Sequence, residues 1–134
     1  MNTYRGYISS RDCLGVNYPQ RIQNIVIRDY CENNKFKFLL SAAEYSMVGS
    51  NIILKDLIKE LSTISGVVAF SIFQLPENKN KRINFLKIFI KKKKSIHFAL
   101  ERFVVKSDKD VVKLNQIWQI KKISINKNKK PWIK

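Results

Sequence analysis

Short apolar runs alternate with amphipathic segments along the chain, a pattern typical of α/β proteins. The apolar runs predict four strands, over residues 4–9, 37–40, 67–73 and 95–100. Apolar residues at helical spacing predict four helices, over residues 20–33, 53–61, 77–91 and 108–122. The elements therefore alternate strictly between strand and helix.

This alternation favours a parallel sheet, because right-handed crossovers return successive strands to the same sheet with helices on both faces. We expect a small three-layer α/β sandwich with a mainly parallel four-stranded sheet, of resolvase-like or flavodoxin-like topology. Residues 1–122 form a single α/β domain in this interpretation, and residues 123–134, which include Trp132, form a basic C-terminal tail. Ligands of such sheets bind outside the carboxyl ends of the strands.

The net charge of the chain is +16, from 26 lysines and arginines against 10 acidic residues. Residues 1–76 hold eight basic and six acidic residues, whereas residues 77–134 hold eighteen and four, a balance of +14. Lysine supplies 20 of the basic residues, and bidentate phosphate or base contacts favour arginine. The charge is therefore compatible with a solvated lysine face and with a nucleic-acid footprint.

Several classes of protein are excluded by absent signals. No apolar run approaches the roughly 20 residues of a membrane span, and the first residues do not form a secretory signal. One histidine and two distant cysteines, Cys13 and Cys31, cannot form a structural zinc site. Phosphate-binding glycine motifs are also missing. We expect a cytoplasmic protein without a cofactor or a metal.

Three residues are candidates for acid–base catalysis. His97, the single histidine, lies within the fourth predicted strand and could exchange protons or be a hydrogen-bonded core residue. Glu44 and Glu101 follow predicted strands, and each could partner His97 or pair with a nearby basic group. Catalysis by these three residues is a hypothesis that depends on their meeting at one edge of the sheet.

Further polar residues lie at the predicted strand ends or on the first helical turns. Ser9 or Ser10 could be a nucleophile or simply a cap, and Arg11 could clamp an anion or be an exposed loop residue. The other candidates could line a binding site or belong to ordinary polar surface, and they are Gln20, Gln23, Asn24, Tyr45 and Gln74.

The order of elements between Tyr4 and Glu101 resembles the catalytic domain of serine recombinases, with I-R-D-Y-C in the first helix and VVAFSIF and SIHFALE in later strands. The resemblance implies the fold and a serine surrounded by arginines at a scissile phosphate. Ser9 or Ser10 would correspond to that serine. The arginine-rich turn after the third strand is replaced here by Gln74-Leu75-Pro76, so the resemblance supports the fold rather than strand exchange.

A second resemblance covers the chain nearly from end to end and concerns a family of small bacterial proteins named for sporadic carbohydrate clusters. It rests on several motifs in order, which are Arg5-Gly6-Tyr7 with Ser10, Pro19-Gln20 with Gln23-Asn24, Ile27-Arg28-Asp29-Tyr30-Cys31, Leu40-Ser41-Ala42 with Glu44-Tyr45-Ser46-Met47, Phe73-Gln74-Leu75-Pro76-Glu77-Asn78, and His97-Phe98-Ala99 with Glu101. The resemblance implies a role in bacterial surface-polysaccharide or O-antigen biosynthesis and no established reaction.

Two functional hypotheses follow from these observations. The first is a protein that binds or transforms a polar small molecule, a sugar or nucleotide sugar, at the carboxyl ends of the strands. The alternative is a resolvase-like module that performs no recombination and binds nucleic acid or acts as a scaffold in a biosynthetic complex. Exposed apolar area around Ile117 and Trp118 would favour the scaffold or a homodimer.

Overall fold

The computed structural model describes residues 2–47 and 49–128. In chain order the elements are β1 (Thr3–Ile8), α1 (Gln20–Asn33), β2 (Lys37–Ala43), α2 (Ile52–Glu60), β3 (Gly66–Ala69), α3 (Lys79–Lys91), β4 (Ser95–Phe98), β5 (Phe103–Val105) and α4 (Asp108–Asn128). A 3₁₀ turn, Ile72–Gln74, lies between β3 and α3.

The strands form one sheet in the order β2-β1-β3-β4-β5. The first four strands are parallel, and β5 pairs with β4 in the antiparallel direction. The predicted α/β class and the mainly parallel sheet are confirmed. The sheet has five strands, so the predicted number of four is wrong. The prediction omits β5, which is only three residues long, Phe103–Val105, and follows a tight turn after β4. A run of three residues carries too little periodicity to indicate a strand.

Helices lie on both faces of the sheet. Tyr4 of β1 packs against Phe36 and His97, and His97 is hydrogen-bonded to Tyr30 of α1. Arg5, the next residue of β1, is instead paired with Glu60 at the end of α2, with Nη2 2.6 Å from the carboxylate. Successive side chains of a strand point to opposite faces, so α1 and α2 lie on opposite faces. Helix α3 contacts both α2 and α4.

Two element ends differ from the sequence-based prediction. Strand β3 ends at Ala69 rather than at residue 73, because the Ser71 side chain accepts a hydrogen bond from Phe73 N–H and starts the 3₁₀ turn. Helix α4 continues to Asn128, beyond the predicted end at Lys122. The first part of the predicted tail is therefore helical, and residues 129–134, including Trp132, lie outside the described residues.

The core lies on both faces of the central strands. Val67, Val68 and Ala69 of β3 are buried, and large side chains from every layer are fully buried, among them Tyr7, Ile27, Leu54, Phe89, Phe98 and Leu114. Within the described residues, no helix is both long enough and apolar enough to cross a membrane.

Candidate functional site

The start of α1 is joined to the end of β1 by Gln23. Its amide oxygen accepts a hydrogen bond from Ser9 N–H at 3.0 Å, and its amide nitrogen donates to the Ser9 carbonyl at 2.6 Å and to the Tyr18 carbonyl at 2.7 Å. Helix α1 begins at Gln20, so Gln23 lies on its first turn, where the predicted spacing placed it. Ser9 is 1% exposed, and its hydroxyl accepts a hydrogen bond from Arg11 N–H at 3.3 Å.

Gln74 and Arg11 extend these contacts across the carboxyl ends of β1 and β3. The Gln74 side chain donates to the Gln23 amide oxygen at 2.9 Å. The guanidinium of Arg11 donates to the Ser50 and Gln74 carbonyls at 3.0 and 3.1 Å, and also to the Cys13 sulfur at 2.9 Å. Arg11 is 7% exposed, so its charge is directed into the protein rather than toward a ligand.

The buried carboxylate of Glu44 caps the first turn of α2. It accepts hydrogen bonds from Ile53 and Leu54 N–H at 3.1 and 3.0 Å, and from the Tyr7 and Ser50 hydroxyls at 2.8 and 2.9 Å. Burial by itself raises the pKa of Glu44, but these four hydrogen bonds outweigh it and hold the pKa below its usual value. Glu44 is therefore an ionised carboxylate held by hydrogen bonds, and it positions the first turn of α2.

Glu101 makes similar contacts beyond the end of β4. Its carboxylate accepts from the Ser71 hydroxyl at 2.6 Å and from Ile72 N–H at 3.0 Å. Burial raises the pKa of Glu101, and these donors oppose the shift only in part. Ser71 N–H also donates to the Gln74 side chain at 3.3 Å, which connects Glu101 to the other contacts. We name the connected set the carboxyl-edge network, and its members are Tyr7, Ser9, Arg11, Gln23, Glu44, Ser50, Ser71, Gln74 and Glu101.

His97 does not lie in this network. Its Nδ1 is 2.7 Å from the Tyr30 hydroxyl, and its Nε2 is 3.1 Å from the Ser95 hydroxyl at the amino end of β4. Burial, with a smaller contribution from the positive charge of Lys106, lowers the pKa of His97 to about 4. The expectation that His97 meets Glu44 or Glu101 at the carboxyl edge is therefore corrected, because aromatic contacts with Tyr4 and Phe36 hold its ring toward the amino edge.

The remaining predicted residues lie at the surface or partly buried. Ser10 and Tyr45 are exposed, and the Tyr45 backbone N–H donates to Glu44 at 3.1 Å. Asn24 is half-buried and accepts from the Ser41 hydroxyl at 2.6 Å, while Gln20 is half-buried at the start of α1. The accessible space near this edge is a shallow cavity of 340 Å³, lined in part by Ser50, Lys55 and Lys81.

The carboxyl-edge network is held together by hydrogen bonds within the protein. Among the described residues, every buried side-chain nitrogen and oxygen has a hydrogen-bond partner. Side chains that already satisfy one another stabilise the edge of the sheet, and they leave no activated nucleophile with a free base beside it. Nor do any three histidine, cysteine, aspartate or glutamate side chains in the described part of the chain gather as metal ligands.

The second half of the chain contains a groove between α3 and α4, with a volume of 570 Å³. We name it the α3–α4 groove. Its polar lining consists of Lys79, Lys87, Asp108, Asn115, Gln116 and Gln119, together with the buried Arg82. The lining also includes the apolar side chains of Ile83, Val111 and Val112. Its lysine and amide side chains are donors to phosphate oxygens, whereas Asp108 would repel an anion.

Arg82 holds the two walls of the groove together, and no local pattern in the sequence indicates this role. Its guanidinium lies 3.9 Å from the centre of the Trp118 ring and donates to the Asn115 side chain at 2.9 Å. It also donates to the Pro76 and Glu77 carbonyls at 3.1 and 2.9 Å. Burial lowers the pKa of Arg82 to about 10, so the group remains charged at neutral pH.

The described lysines of the second half form no ion pairs with carboxylates. Between residues 2 and 128, apart from residue 48, the ion pairs are Arg5–Glu60 and Lys59–Asp56, both in the nearly neutral first half. No described lysine after residue 60 lies within ion-pair distance of a carboxylate. Apart from the buried Arg82, most of the described basic side chains of this half are exposed without a carboxylate partner.

Comparisons with known proteins support the fold. No family model and no curated protein matches the chain. The N-terminal catalytic domain of TP901-1 integrase is similar in structure, with a TM-score of 0.64 and 15% identity over 90% of this chain and 95% of that one. A resolvase family site-specific recombinase from Streptococcus pneumoniae has a TM-score of 0.58 and 13% identity over 93% of this chain and 92% of that one.

These similarities confirm the predicted resolvase-like layout. At 15% and 13% identity they establish the fold and assign no activity. None of the comparisons supports the resemblance to the sporadic carbohydrate cluster family.

Proposed function

We propose that this protein is a resolvase-fold module that binds nucleic acid through its second half and does not perform strand exchange. The observation that carries the proposal is the set of unpaired lysines on α3 and α4, beside a groove lined with lysine and amide side chains. Unpaired lysines near a groove attract polyanions, and release of condensed counterions drives the binding.

The contacts of the carboxyl-edge network do not favour strand exchange. Serine attack on a phosphate requires a hydroxyl that reaches the ligand, whereas Ser9 is 1% exposed and Ser9 N–H and C=O are both bonded to Gln23. Arg11, which could neutralise a phosphate, donates instead to Ser50, Gln74 and Cys13.

The proposal predicts salt-dependent binding to duplex DNA or RNA, measured by fluorescence anisotropy. The K79Q/K87Q variant removes two lysines of the α3–α4 groove, and K35Q/K37Q removes the same charge from exposed residues of the first half. Plotted as log K against log salt, K79Q/K87Q should have a slope about 1.8 units shallower than wild type, because each lost phosphate contact removes about 0.9. The K35Q/K37Q variant should retain the wild-type slope.

Two results would contradict the proposal. One is the absence of binding to both nucleic acids at low salt. The other is an equal loss of slope in K79Q/K87Q and K35Q/K37Q, which would indicate attraction by net charge without a site.

The carbohydrate hypothesis remains a second prediction. A sugar or nucleotide sugar at the carboxyl edge would meet the exposed Ser10 and Tyr45 and the cavity of 340 Å³ lined in part by Lys55 and Lys81. Catalysis there would not involve His97, which lies at the amino edge. A rise in melting temperature with nucleotide sugars, measured across a panel, distinguishes this hypothesis from nucleic-acid binding.

The scaffold and homodimer hypotheses depended on exposed apolar residues around Ile117 and Trp118. Trp118 is buried against Arg82 and Phe73, and Ile117 is half-buried. The exposed apolar residues of α4 are instead Val112, Ile120 and Ile123. At positions i, i+8 and i+11 these three side chains share one face of α4, so the support for a scaffold or homodimer comes from an apolar face other than the predicted one.

A further inference from the structure

A second polar cleft, with a volume of 510 Å³, opens at the amino ends of β1, β3 and β4. We name it the amino-edge cleft. Its polar lining includes Tyr4, Ser65, Lys93, Lys94, Ser95 and Lys106. No carboxylate contributes to this lining, and His97 lies directly behind Ser95, with Nε2 3.1 Å from the Ser95 hydroxyl.

The three lysines of the cleft come from two different elements. Lys93 and Lys94 follow the carboxyl end of α3, where positive charge is favourable because of the helix dipole. Lys106 belongs to the loop between β5 and α4, so the α3 dipole does not explain its position. None of the three forms an ion pair with a described carboxylate. The cleft therefore gathers positive charge without an internal counterion.

The hydroxyl groups of Tyr4 and Ser95 also line the cleft and are possible hydrogen-bond donors beside the lysines. Tyr4 Oη lies 2.8 Å from Ser95 Oγ, and the chain of contacts continues through His97 to the Tyr30 hydroxyl, 2.7 Å from Nδ1. A neutral imidazole has one donor and one acceptor nitrogen, so this chain of hydrogen bonds runs in one of two directions. When Nε2–H donates to Ser95, one hydroxyl hydrogen of Ser95 or Tyr4 remains available to the cleft.

We propose that the amino-edge cleft binds the phosphate group of a small phosphorylated molecule, through Lys93, Lys94 and Lys106 and a hydroxyl hydrogen of Ser95 or Tyr4. Ammonium groups and hydroxyls are the donors that phosphate oxygens accept from. The volume of 510 Å³ lies within the range of about 300–1,000 Å³ typical of small-molecule sites. Three lysines that line one cleft suit a compact anion, whereas the backbone of a nucleic acid requires an extended strip of charge.

The test uses pyrophosphate as the probe and isothermal titration calorimetry on the full chain. The K93Q/K106Q variant removes two lysines of the cleft, and K91Q/K92Q removes the same charge from neighbouring exposed lysines outside it. Wild type and K91Q/K92Q should bind with similar Kd, while the Kd of K93Q/K106Q should rise by about tenfold or more because two charge-assisted contacts are lost. Lys93 and Lys106 are exposed, so circular dichroism should show both variants folded.

Failure to bind pyrophosphate, or an equal rise in Kd for the two variants, would overturn the proposal. A third arm identifies the source of the phosphate. Duplex DNA is titrated against the same proteins, with and without pyrophosphate. If DNA displaces pyrophosphate from wild type, and K93Q/K106Q raises the Kd for DNA by the same factor as the Kd for pyrophosphate, the cleft binds the nucleic-acid backbone and the small-molecule assignment is wrong. This inference is independent of the α3–α4 groove, because K79Q/K87Q and K93Q/K106Q remove different lysines.

Discussion

Glu44 and Glu101 have carboxyl groups whose pKa values move in opposite directions, because hydrogen-bond donors outweigh burial at Glu44 and burial outweighs the donors at Glu101. Glu44 receives hydrogen bonds from the Ile53 and Leu54 amides and from the Tyr7 and Ser50 hydroxyls, which outweigh burial and lower its pKa. Glu101 receives fewer such bonds, and burial keeps its pKa raised. The same residue type is thus a fixed anion beside α2 and a more readily protonated group beside the 3₁₀ turn.

His97 makes the stability of the fold depend on pH. Its folded pKa of about 4 lies below the usual 6.5, so the unfolded chain binds more protons between these values and stability falls as pH decreases from 6.5 toward 4. The shift corresponds to about 3 kcal/mol when that window has been crossed. Urea unfolding of wild type and H97Q between pH 4 and pH 7.5 measures the effect.

The comparison between wild type and H97Q isolates the histidine, because the carboxyl groups titrate in both proteins. The free energy of unfolding of wild type should decline more steeply below pH 6.5 than that of H97Q, and the two should run parallel above pH 7. Parallel curves over the whole range would show that His97 gains a proton equally well in the folded protein.

At the scale of elements, the order and type of most helices and strands could be predicted from periodicity, whereas the residues at which several of them end could not. The apolar spacing that begins at Gln20 locates α1, and through it the first-turn Gln23 that reaches Ser9. The end of β3 depends on Ser71, whose capping contacts involve a carboxylate thirty positions away at Glu101. Arg82 and His97 were likewise placed by partners distant in sequence, Trp118 and Tyr30, which no local pattern reveals.

The central position of β3 requires glycine at its first residue. A Cβ on Gly66 would overlap the Ser95 carbonyl of β4 and lie 2.8 Å from the Tyr4 ring. We expect G66A to lower the free energy of unfolding by about 3 kcal/mol or more, because neither neighbour can withdraw without disturbing strand pairing. Chemical denaturation followed by circular dichroism measures the loss.

Gly49 supplies the matched substitution for this test. Its φ is +72° and no atom lies within 4 Å of the added Cβ, so G49A has a conformational cost without a steric one. That cost should be about 1 kcal/mol. Equal losses in G66A and G49A would mean that the sheet tolerates the extra methyl group and that close approach does not determine residue 66.

At the scale of the whole molecule, the two ends of the sheet differ in how their polar groups are satisfied. The carboxyl edge, from Glu101 to Glu44, is closed by hydrogen bonds within the protein. At the amino edge and along α3 and α4, the lysines have no described carboxylate partner. The resolvase-like fold thus has its unpaired lysines away from the carboxyl ends of its strands, where sheets of this kind usually bind ligands.

Unpaired lysines should also destabilise the folded chain by mutual repulsion. Raising NaCl from about 0.01 M to about 0.15 M shortens the screening length from about 30 Å to about 8 Å, so the melting temperature should rise, by about 3 °C for each kcal/mol of repulsion relieved.

Lys109 and Lys113 are exposed like charges one turn apart near the positive end of the α4 dipole. Differential scanning calorimetry should therefore show K109Q/K113Q melting above wild type at low salt and gaining less from added NaCl. K35Q/K37Q, in the nearly neutral half, should follow wild type at both salt concentrations. A wild-type melting temperature that stays constant or falls with added NaCl would mean that the lysines are too far apart to repel one another, and their spacing would then give no reason to expect a polyanion to stabilise the fold.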